Sequence, residues 1–305
     1  MTDLNTATTS ADEPYGIAPE GYRLPAGLRL GRVRLQVANL QRSLAWYGQV
    51  LGLHVVERTA DAATLAAHGD DAPLVVLRER SGASPQPHRG RLGLYHYAIL
   101  LPDRAALGRF VAHLARTGER AGASDHLVSE ALYLNDPDGL GIEVYADRPR
   151  STWRWDSRRQ LAMDTRPLDL DGLVRAAGGE PWTGMPAGTV VGHVHLHVGD
   201  TDRAAAFYHA ALGLDKVVWS YPGALFLSAG GYHHHLGLNT WAGPHARPAG
   251  ENDARLLDWE IVLPRPADAD AAAESLRAAG VTAERIQGGW LVRDPWGTAV
   301  RIVPA

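Results

Sequence analysis

The sequence predicts an α+β fold built from four βαβββ modules. The first observation is an internal repeat: residues 39–53 and 200–214 each carry a capping residue eight positions before a Tyr and a Gly five positions after that Tyr. The second is that two further strand–helix segments, at residues 95–117 and 259–279, are each followed directly by a Gly. Recurrence of one strand–helix plan along a chain is typical of proteins assembled from repeated units.

The first two modules illustrate how each unit begins. In module one, an alternating strand precedes Asn39, which can cap a helix over residues 40–50 that Gly52 ends. Module two repeats this order, with Asp103 as the cap of a helix over residues 104–117. Short apolar runs after each helix predict the remaining strands of the unit.

The second half of the chain repeats the plan. An alternating strand at residues 194–198 leads to Asp200, and a later strand leads to Pro264 and a helix over residues 267–279. A connector between the halves has one helical segment at 168–177, and the polar N-terminus is expected to be a flexible tail. The predicted boundaries are 1–28 for the tail, 29–82, 91–147, 189–243 and 253–305 for modules one to four, and 148–188 for the connector.

Composition excludes several classes of function. The 305 residues contain 45% hydrophobic residues and carry a net charge near −4, which gives no argument for binding nucleic acid or a membrane surface. No apolar run has the roughly 20 residues that a membrane span needs, and the N-terminus does not resemble a secretory signal. The absence of Cys favours a cytoplasmic location and excludes thiolate metal sites. Any bound metal must therefore be held by carboxylates and by some of the 14 His.

A predicted hairpin at residues 124–143 carries the most informative residues. Its turn, at residues 136–139, has the Asp-Pro-Asp-Gly sequence that favours a tight reversal. Glu143 follows in an otherwise apolar strand, where an unpaired carboxylate would be costly to bury. His126 and Tyr133 lie in the same hairpin, so the segment combines a base, a phenol and a metal-binding carboxylate.

Four βαβββ units of this kind resemble the vicinal oxygen chelate superfamily, in which paired units form cup-shaped mixed sheets around a metal. The hairpin is more specifically similar to the pattern of type I extradiol ring-cleavage dioxygenases of the catechol 2,3-dioxygenase kind. The positions that match are His126, Leu132, Tyr133, Asp136, Pro137, Gly139 and Glu143. The resemblance covers nearly the whole chain outside the tail and the connector.

This resemblance implies an iron(II) site, although manganese(II) suits the same ligands. The implied ligands are Glu143, His96 from the first strand of module two, and His193 from the first strand of module three. His96 and His193 each stand seven residues before a helix-capping Asp. His195 lies on the same strand face as His193 and is its competitor. The implied reactants are a catechol-like diol and O₂, and association into homo-oligomers is compatible with the superfamily.

The ligand set predicts which modules pair. Module one offers Arg32 or Arg34 where the ligand His should stand, and module four offers Arg301 where module two has Glu143. A guanidinium has no lone pair to give to a metal. We therefore predict that module two pairs with module three and module one with module four. His96 and His193 should then lie within about 8 Å of each other, since both nitrogens must reach one ion.

Three residues are implied as acid–base groups beside the metal. His234, in the cluster Tyr232-His233-His234-His235, is expected to protonate the developing oxygen anion, with His235 as the runner-up. Tyr133 is expected to hold a substrate oxygen or to relay a proton, and His126 to support the substrate oxygen.

Two other functions remain open at the level of sequence. One is a glyoxalase-like isomerase or thiol-transfer resistance enzyme of the same superfamily, which would be expected to have a carboxylate in the last strand of each partner module. The other is a metal-free small-molecule binding protein, which would leave Glu143 and the first-strand His residues without a purpose.

Overall fold

The computed structural model describes residues 15–87 and 89–305 and has four βαβββ modules in two curled mixed sheets. Module one contains β1 (Arg29–Val37), α1 (Leu40–Trp46), β2 (His54–Arg58), β3 (Ala62–Ala66) and β4 (Val75–Glu79). Module two contains β5 (Arg91–Leu100), α2 (Arg104–Thr117), β6 (Gly122–Asp125), β7 (Ser129–Asn135) and β8 (Gly141–Asp147). The α+β prediction is confirmed.

The connector and the second half of the chain follow in the same order. The connector contains a 3₁₀ turn (Arg150–Thr152) and α3 (Leu170–Ala176). Module three contains β9 (Val190–His197), α4 (Thr201–Ala205), β10 (Asp215–Val218), β11 (Ala224–Ser228) and β12 (Leu236–Asn239), followed by the two-residue strand β13 (Arg247–Pro248). Module four contains β14 (Arg255–Leu263), α5 (Pro266–Ala278), β15 (Ala283–Ile286), β16 (Gly289–Arg293) and β17 (Ala299–Pro304).

The two sheets join modules that are distant in sequence. One sheet has the order β15-β16-β17-β14-β1-β4-β3-β2, and the other has the order β10-β11-β12-β9-β5-β8-β7-β6. The joints are antiparallel, between β1 and β14 in the first sheet and between β5 and β9 in the second. The predicted pairing of module two with three and of module one with four is therefore confirmed.

The helices of modules one, two and three begin where the sequence predicts, but those of modules one and three do not continue as regular α-helix. The side chains of Asn39, Asp103 and Asp200 each accept a hydrogen bond from the backbone N–H three residues on, as N-caps do. The first helix of module one, predicted over 40–50, changes to a π-helical turn at Tyr47–Leu51, and that of module three changes at Ala206–Ala211. Modules one and three therefore share a π-helical turn at the end of this helix, which the hydrophobic periodicity of the sequence does not reveal.

The predicted flexible tail is wrong for its described part, residues 15–28. Leu24 and Leu28 are buried in the main core, and Ile17 forms a backbone bridge with Lys216. Arg23 donates two hydrogen bonds to the Asp215 carboxylate. The polar composition of the segment concealed the apolar residues Leu24 and Leu28, whose burial stabilises its ordered conformation. Residues 1–14 lie outside the described part of the chain.

The connector packs against helix α2 and against the sheet of modules two and three. Its helix α3 lies against α2, and Arg104 donates a hydrogen bond to the carbonyl of Gly172. The backbone of Asp125 and Arg166 pairs as a bridge, which fixes residues 163–165 over the sheet of modules two and three. Among the residues described, no helix is long and apolar enough to cross a membrane.

Candidate metal centre

Strand register brings the three predicted metal ligands onto one face of the sheet. Ala98 on β5 pairs with Glu143 on β8 and with His193 on β9. Directly paired residues point to the same face, and so does His96, two positions before Ala98. The small side chain of Ala98 therefore lies in the row between Glu143 and His193, and His96 stands beside that row.

The ligand atoms of these three residues meet at one point. Oε2 of Glu143 lies 3.0 Å from Nε2 of His96 and 3.1 Å from Nε2 of His193, and all three side chains are buried. The two imidazole rings are 5.5 Å apart between centroids, inside the limit that the pairing prediction set. Each residue offers one ligand atom, and these atoms all lie within 4.8 Å of one another.

The protonation states suit a cation. Burial alone would raise the pKa of Glu143, but the charges and hydrogen bonds of His193 and His96 lower it well below its usual value. Burial lowers the pKa of His96 and outweighs the opposite effect of Glu143. An ionised carboxylate beside a neutral imidazole is the form in which these groups bind metals.

One atom tests whether this donor set fits a metal. Nε2 of His96 is buried and makes no hydrogen bond of acceptable geometry with any described residue, despite its closeness to Glu143. Leaving a buried polar nitrogen unsatisfied is costly. A metal between the two imidazoles and the carboxylate would satisfy it, so the residues fit a divalent cation with nitrogen and oxygen ligands.

His234 lies against the cluster and is backed by a chain of hydrogen bonds. Its ring centroid is 4.1 Å from that of His193. Its Nδ1 is 2.7 Å from Nδ1 of His233, whose Nε2 is 2.8 Å from a carboxylate oxygen of Asp147. Burial, followed by the neighbouring His residues, lowers the pKa of His234 well below its ordinary value, so this ring is neutral.

The same hydrogen bonds determine which nitrogen of His234 carries the proton. The Asp147 carboxylate can only accept, so Nε2 of His233 donates to it. The other nitrogen of His233, Nδ1, then accepts a hydrogen bond from Nδ1 of His234. This arrangement leaves Nε2 of His234 without a proton and able to act as a base.

Tyr133 and His126 form a second hydrogen-bonded pair in the site. Nδ1 of His126 lies 2.7 Å from the carbonyl oxygen of Asp164, and Nε2 lies 2.6 Å from the Tyr133 hydroxyl. The carbonyl can only accept, so Nδ1 donates to it, and Nε2 accepts from the phenol. Burial, with the nearby Glu143 charge, raises the pKa of Tyr133 well above its usual value and keeps it a phenol at neutral pH.

All six predicted residues line one cavity of about 230 Å³. The remaining lining residues come from modules two and three and from the connector. They are Tyr95, Ser124, Ser129, Met163, Asp164, Thr165, His195, Tyr221, Phe226 and Trp241. Sequence reasoning offered His195 among them, as the competitor of His193, and did not predict the others. Tyr95 and Trp241 are the exposed aromatics among them, and no spacing rule marked them because their strands and loops meet only in the folded chain.

The two alternative residues, His195 for His193 and His235 for His234, occupy different places. His195 lines the cavity, but its Nε2 is 3.0 Å from the side-chain nitrogen of Asn239, which orients it. His235 lies outside the cavity lining, and its Nδ1 lies within hydrogen-bonding distance of Ser228 and of the backbone of Ala229. His233 and Asp147 were not predicted as site residues.

Comparisons with known proteins identify the family of the chain. A family model described as the glyoxalase/bleomycin resistance protein/dioxygenase superfamily matches residues 29–144 and 190–302. The catechol-2,3-dioxygenase of Bacillus subtilis (strain 168) is 46% identical over 268 residues, covering 87% of this chain and 93% of the relative. The biphenyl-2,3-diol 1,2-dioxygenase 3 of Rhodococcus globerulus is 29% identical over 120 residues, covering 39% and 63%.

A solved structure extends the likeness in fold. Glyoxalase I from Zea mays superimposes with a TM-score of 0.55 at 17% identity, covering 91% of this chain and 92% of that chain. At this identity the likeness concerns the fold alone. Because the family model covers both halves and the Bacillus relative covers most of the chain, the protein belongs to the glyoxalase/bleomycin resistance protein/dioxygenase superfamily.

Proposed function

We propose that the protein is an extradiol dioxygenase, which opens a catechol-like ring with O₂ at an iron(II) held by His96, His193 and Glu143. The observation that carries this proposal is the convergence of two buried imidazoles on one Glu143 oxygen, at 3.0 and 3.1 Å. Two imidazoles and a carboxylate on one side of a metal leave open positions, as in non-haem iron(II) oxygenases. The name of the Bacillus subtilis relative, catechol-2,3-dioxygenase, supports the same reaction class.

The bound metal would supply a positive charge that favours the deprotonated diol and would hold both reactants at one place. The acid–base work belongs to the protein. Nε2 of His234, which carries no proton, takes one from a substrate hydroxyl and returns it to the oxygen on which negative charge develops. General acid–base steps of this kind contribute about 10²–10⁴-fold to a rate.

Tyr133 and His126 orient the substrate in this proposal. The Tyr133 hydroxyl donates its hydrogen to His126, so its oxygen is free to accept a hydrogen bond from a substrate hydroxyl. His126 is in turn held by the Asp164 carbonyl of the connector. The connector thereby takes part in substrate positioning.

The cavity favours a compact aromatic substrate. Its volume of about 230 Å³ lies below the ~300–1,000 Å³ typical of pockets for drug-sized ligands. Phe226 and Trp241 give it apolar walls, suited to the flat faces of one ring. A catechol with small substituents is therefore the preferred substrate class.

The proposed reaction needs no outside reductant. The carbon–carbon bond between a hydroxyl-bearing carbon and its unhydroxylated neighbour breaks. Both atoms of one O₂ enter the product, whose new ends are a carboxylic acid and an aldehyde. The electrons that reduce O₂ come from the ring itself.

Oxygen consumption tests the proposal. The protein would be loaded with iron(II) anaerobically, supplied with catechol, and followed in an oxygen electrode and a spectrophotometer, with a manganese(II)-loaded sample in parallel. We expect one O₂ consumed per catechol and a yellow ring-fission product. An iron-loaded protein that consumes no O₂ with catechol or with methyl-substituted catechols would contradict the proposal, and turnover of a hemithioacetal without O₂ would assign a glyoxalase-like isomerase instead.

A further inference from the structure

The sheet of modules one and four forms a second cup whose register matches that of the candidate metal centre. Arg34 pairs with Asp258 where His195 pairs with His96, and Leu291 pairs with Arg301 where Tyr133 pairs with Glu143. The positions of His96, Glu143 and Tyr133 are thus taken by Asp258, Arg301 and Leu291. The second cup keeps the scaffold of the first but has lost the donor set for a metal.

The second cup is lined mainly by positively charged side chains. A cavity of about 620 Å³ is lined by five arginines and only two aspartates. That volume lies inside the ~300–1,000 Å³ range of small-molecule pockets. The arginines are Arg34, Arg78, Arg255, Arg293 and Arg301, and the aspartates are Asp61 and Asp258.

The buried Asp258 carboxylate does not satisfy the guanidinium groups around it. Arg34 donates from both Nε and Nη2 to the same oxygen, Oδ2. Nε of Arg301 lies 3.2 Å from the other oxygen, Oδ1, but neither atom makes a hydrogen bond of acceptable geometry. The single negative charge of Asp258 is therefore shared by Arg34 and Arg301, and each guanidinium keeps N–H donors that Asp258 does not engage.

Two further observations point to a ligand. Nε of Arg255 is buried and has no hydrogen-bond partner among residues 15–87 and 89–305. At the rim, Arg78 is 3.8 Å from Asp61 with both side chains largely exposed, and Arg293 donates a hydrogen bond to the carbonyl of Gly297. The cavity thus has unfilled guanidinium donors both inside and at its mouth.

We propose that this arginine cup binds a small anion through a carboxylate or phosphate group. The planar guanidinium presents paired donors that match the oxygens of both groups, and Arg is the side chain best suited to hold them in a partly buried site. The oxygens of the ligand accept hydrogen bonds from the guanidinium N–H groups of Arg301 and Arg255. The rim arginines, Arg78 and Arg293, attract the anion by their charge. Asp258 holds Arg34 in place and limits the affinity by its own negative charge.

Calorimetric titration of the metal-loaded protein tests the site, with potassium phosphate in one arm and succinate in the other. We expect at least one of them to bind, and the arm that binds identifies the group that the cup prefers. Arg301→Gln should weaken binding by about tenfold or more, because it removes a charge-assisted hydrogen bond. Asp258→Asn should strengthen it, since the competing carboxylate is then neutral.

Control variants separate binding from folding. The exposed pair Arg78→Gln and Arg293→Gln should weaken binding by about two- to fivefold without affecting the core. Arg285→Gln, which removes an exposed arginine paired with Asp270 outside the cup, should leave binding unchanged. Absence of binding by both anions, or equal binding by wild type, Arg301→Gln and the rim variant, would overturn the proposal. The readout is independent of ring cleavage, so its failure would not affect the proposed activity.

Discussion

Individual side chains determine the proton chemistry of the candidate centre. His234 can act as a base at Nε2 because its Nδ1–H donates a hydrogen bond to His233, whose tautomer is fixed by Asp147. His96 and His193 contribute in a different way, as metal-binding imidazoles held around one carboxylate oxygen of Glu143. The site thus separates metal-binding imidazoles from an acid–base imidazole by their hydrogen-bond partners.

Replacement of His234 tests its assigned role at the residue scale. His234→Ala should retain its iron, because the three proposed ligands are unchanged, and should lose about 10²–10⁴-fold in kcat. Iron content by mass spectrometry and kcat with catechol check both parts. His245→Ala, an exposed site away from the cavity, is the matched control. An iron-free His234→Ala protein, or one with unchanged kcat, would contradict the assignment.

Sequence patterns predicted the residues of this site better than their surroundings. The resemblance to extradiol dioxygenases implied His96, His193 and Glu143 as ligands, and the equal distance of each His to a helix-capping Asp supported their place in the strands. Strand alternation would point the side chain of His233 away from that of His234. Alternation does not apply there, since β12 begins only at Leu236 and the preceding histidines lie in a turn.

Two Asp-Pro-x-Gly turns act at the element scale as anchors between modules. In module two, Asp136 accepts hydrogen bonds from the backbone of Asp138 and Leu140 and from the Tyr47 hydroxyl of module one. In module four, Asp294 accepts from its own turn and from the Tyr208 hydroxyl of module three. Both tyrosines lie at π-helical turns, so the irregular helix segments and the anchoring turns recur together.

The anchor in module two predicts a pH-dependent stability. Burial raises the pKa of Asp136 to about 6, from 3.8. Between these values the folded chain holds a proton that the unfolded chain releases, so the stability supplied by this carboxyl is lost as pH rises from about 4 to about 6. Asp136→Asn cannot ionise. Its free energy of unfolding relative to wild type should therefore improve by about 1–3 kcal/mol over that interval.

Urea unfolding at several pH values measures this difference. Asp61→Asn is the control, because Asp61 is largely exposed and should follow the wild-type profile. If the stability of Asp136→Asn changed with pH in parallel with that of wild type, the turn carboxylate would have no raised pKa and the anchor would need another explanation.

The whole molecule is interlocked, because each half of the sequence contributes to both sheets. Module one joins module four through β1 and β14, and module two joins module three through β5 and β9. This pairing could be predicted from chemistry, since Arg32 and Arg301 cannot be metal ligands. The packing of residues 15–28 could not, because a few apolar side chains in a polar segment do not form a periodic pattern.

Cleavage of the connector tests this interlocking. A protease site inserted at residues 178–180, beyond α3, would divide the chain between modules two and three. The two fragments should remain associated on size exclusion and should separate only in denaturant, because two antiparallel strand pairs join them. An equivalent cleavage within the polar residues 1–14 is the control. Fragments that separate under native conditions would show that each half folds on its own.

We expect the protein to hold one metal in the cup of modules two and three and none in the cup of modules one and four. Diffraction at the iron absorption edge from an anaerobic, iron(II)-loaded crystal measures this directly. We expect one anomalous peak per chain, about 2.0–2.2 Å from Nε2 of His96, Nε2 of His193 and an oxygen of Glu143. Absence of a peak there, or a peak among the arginines around Asp258, would contradict the claim.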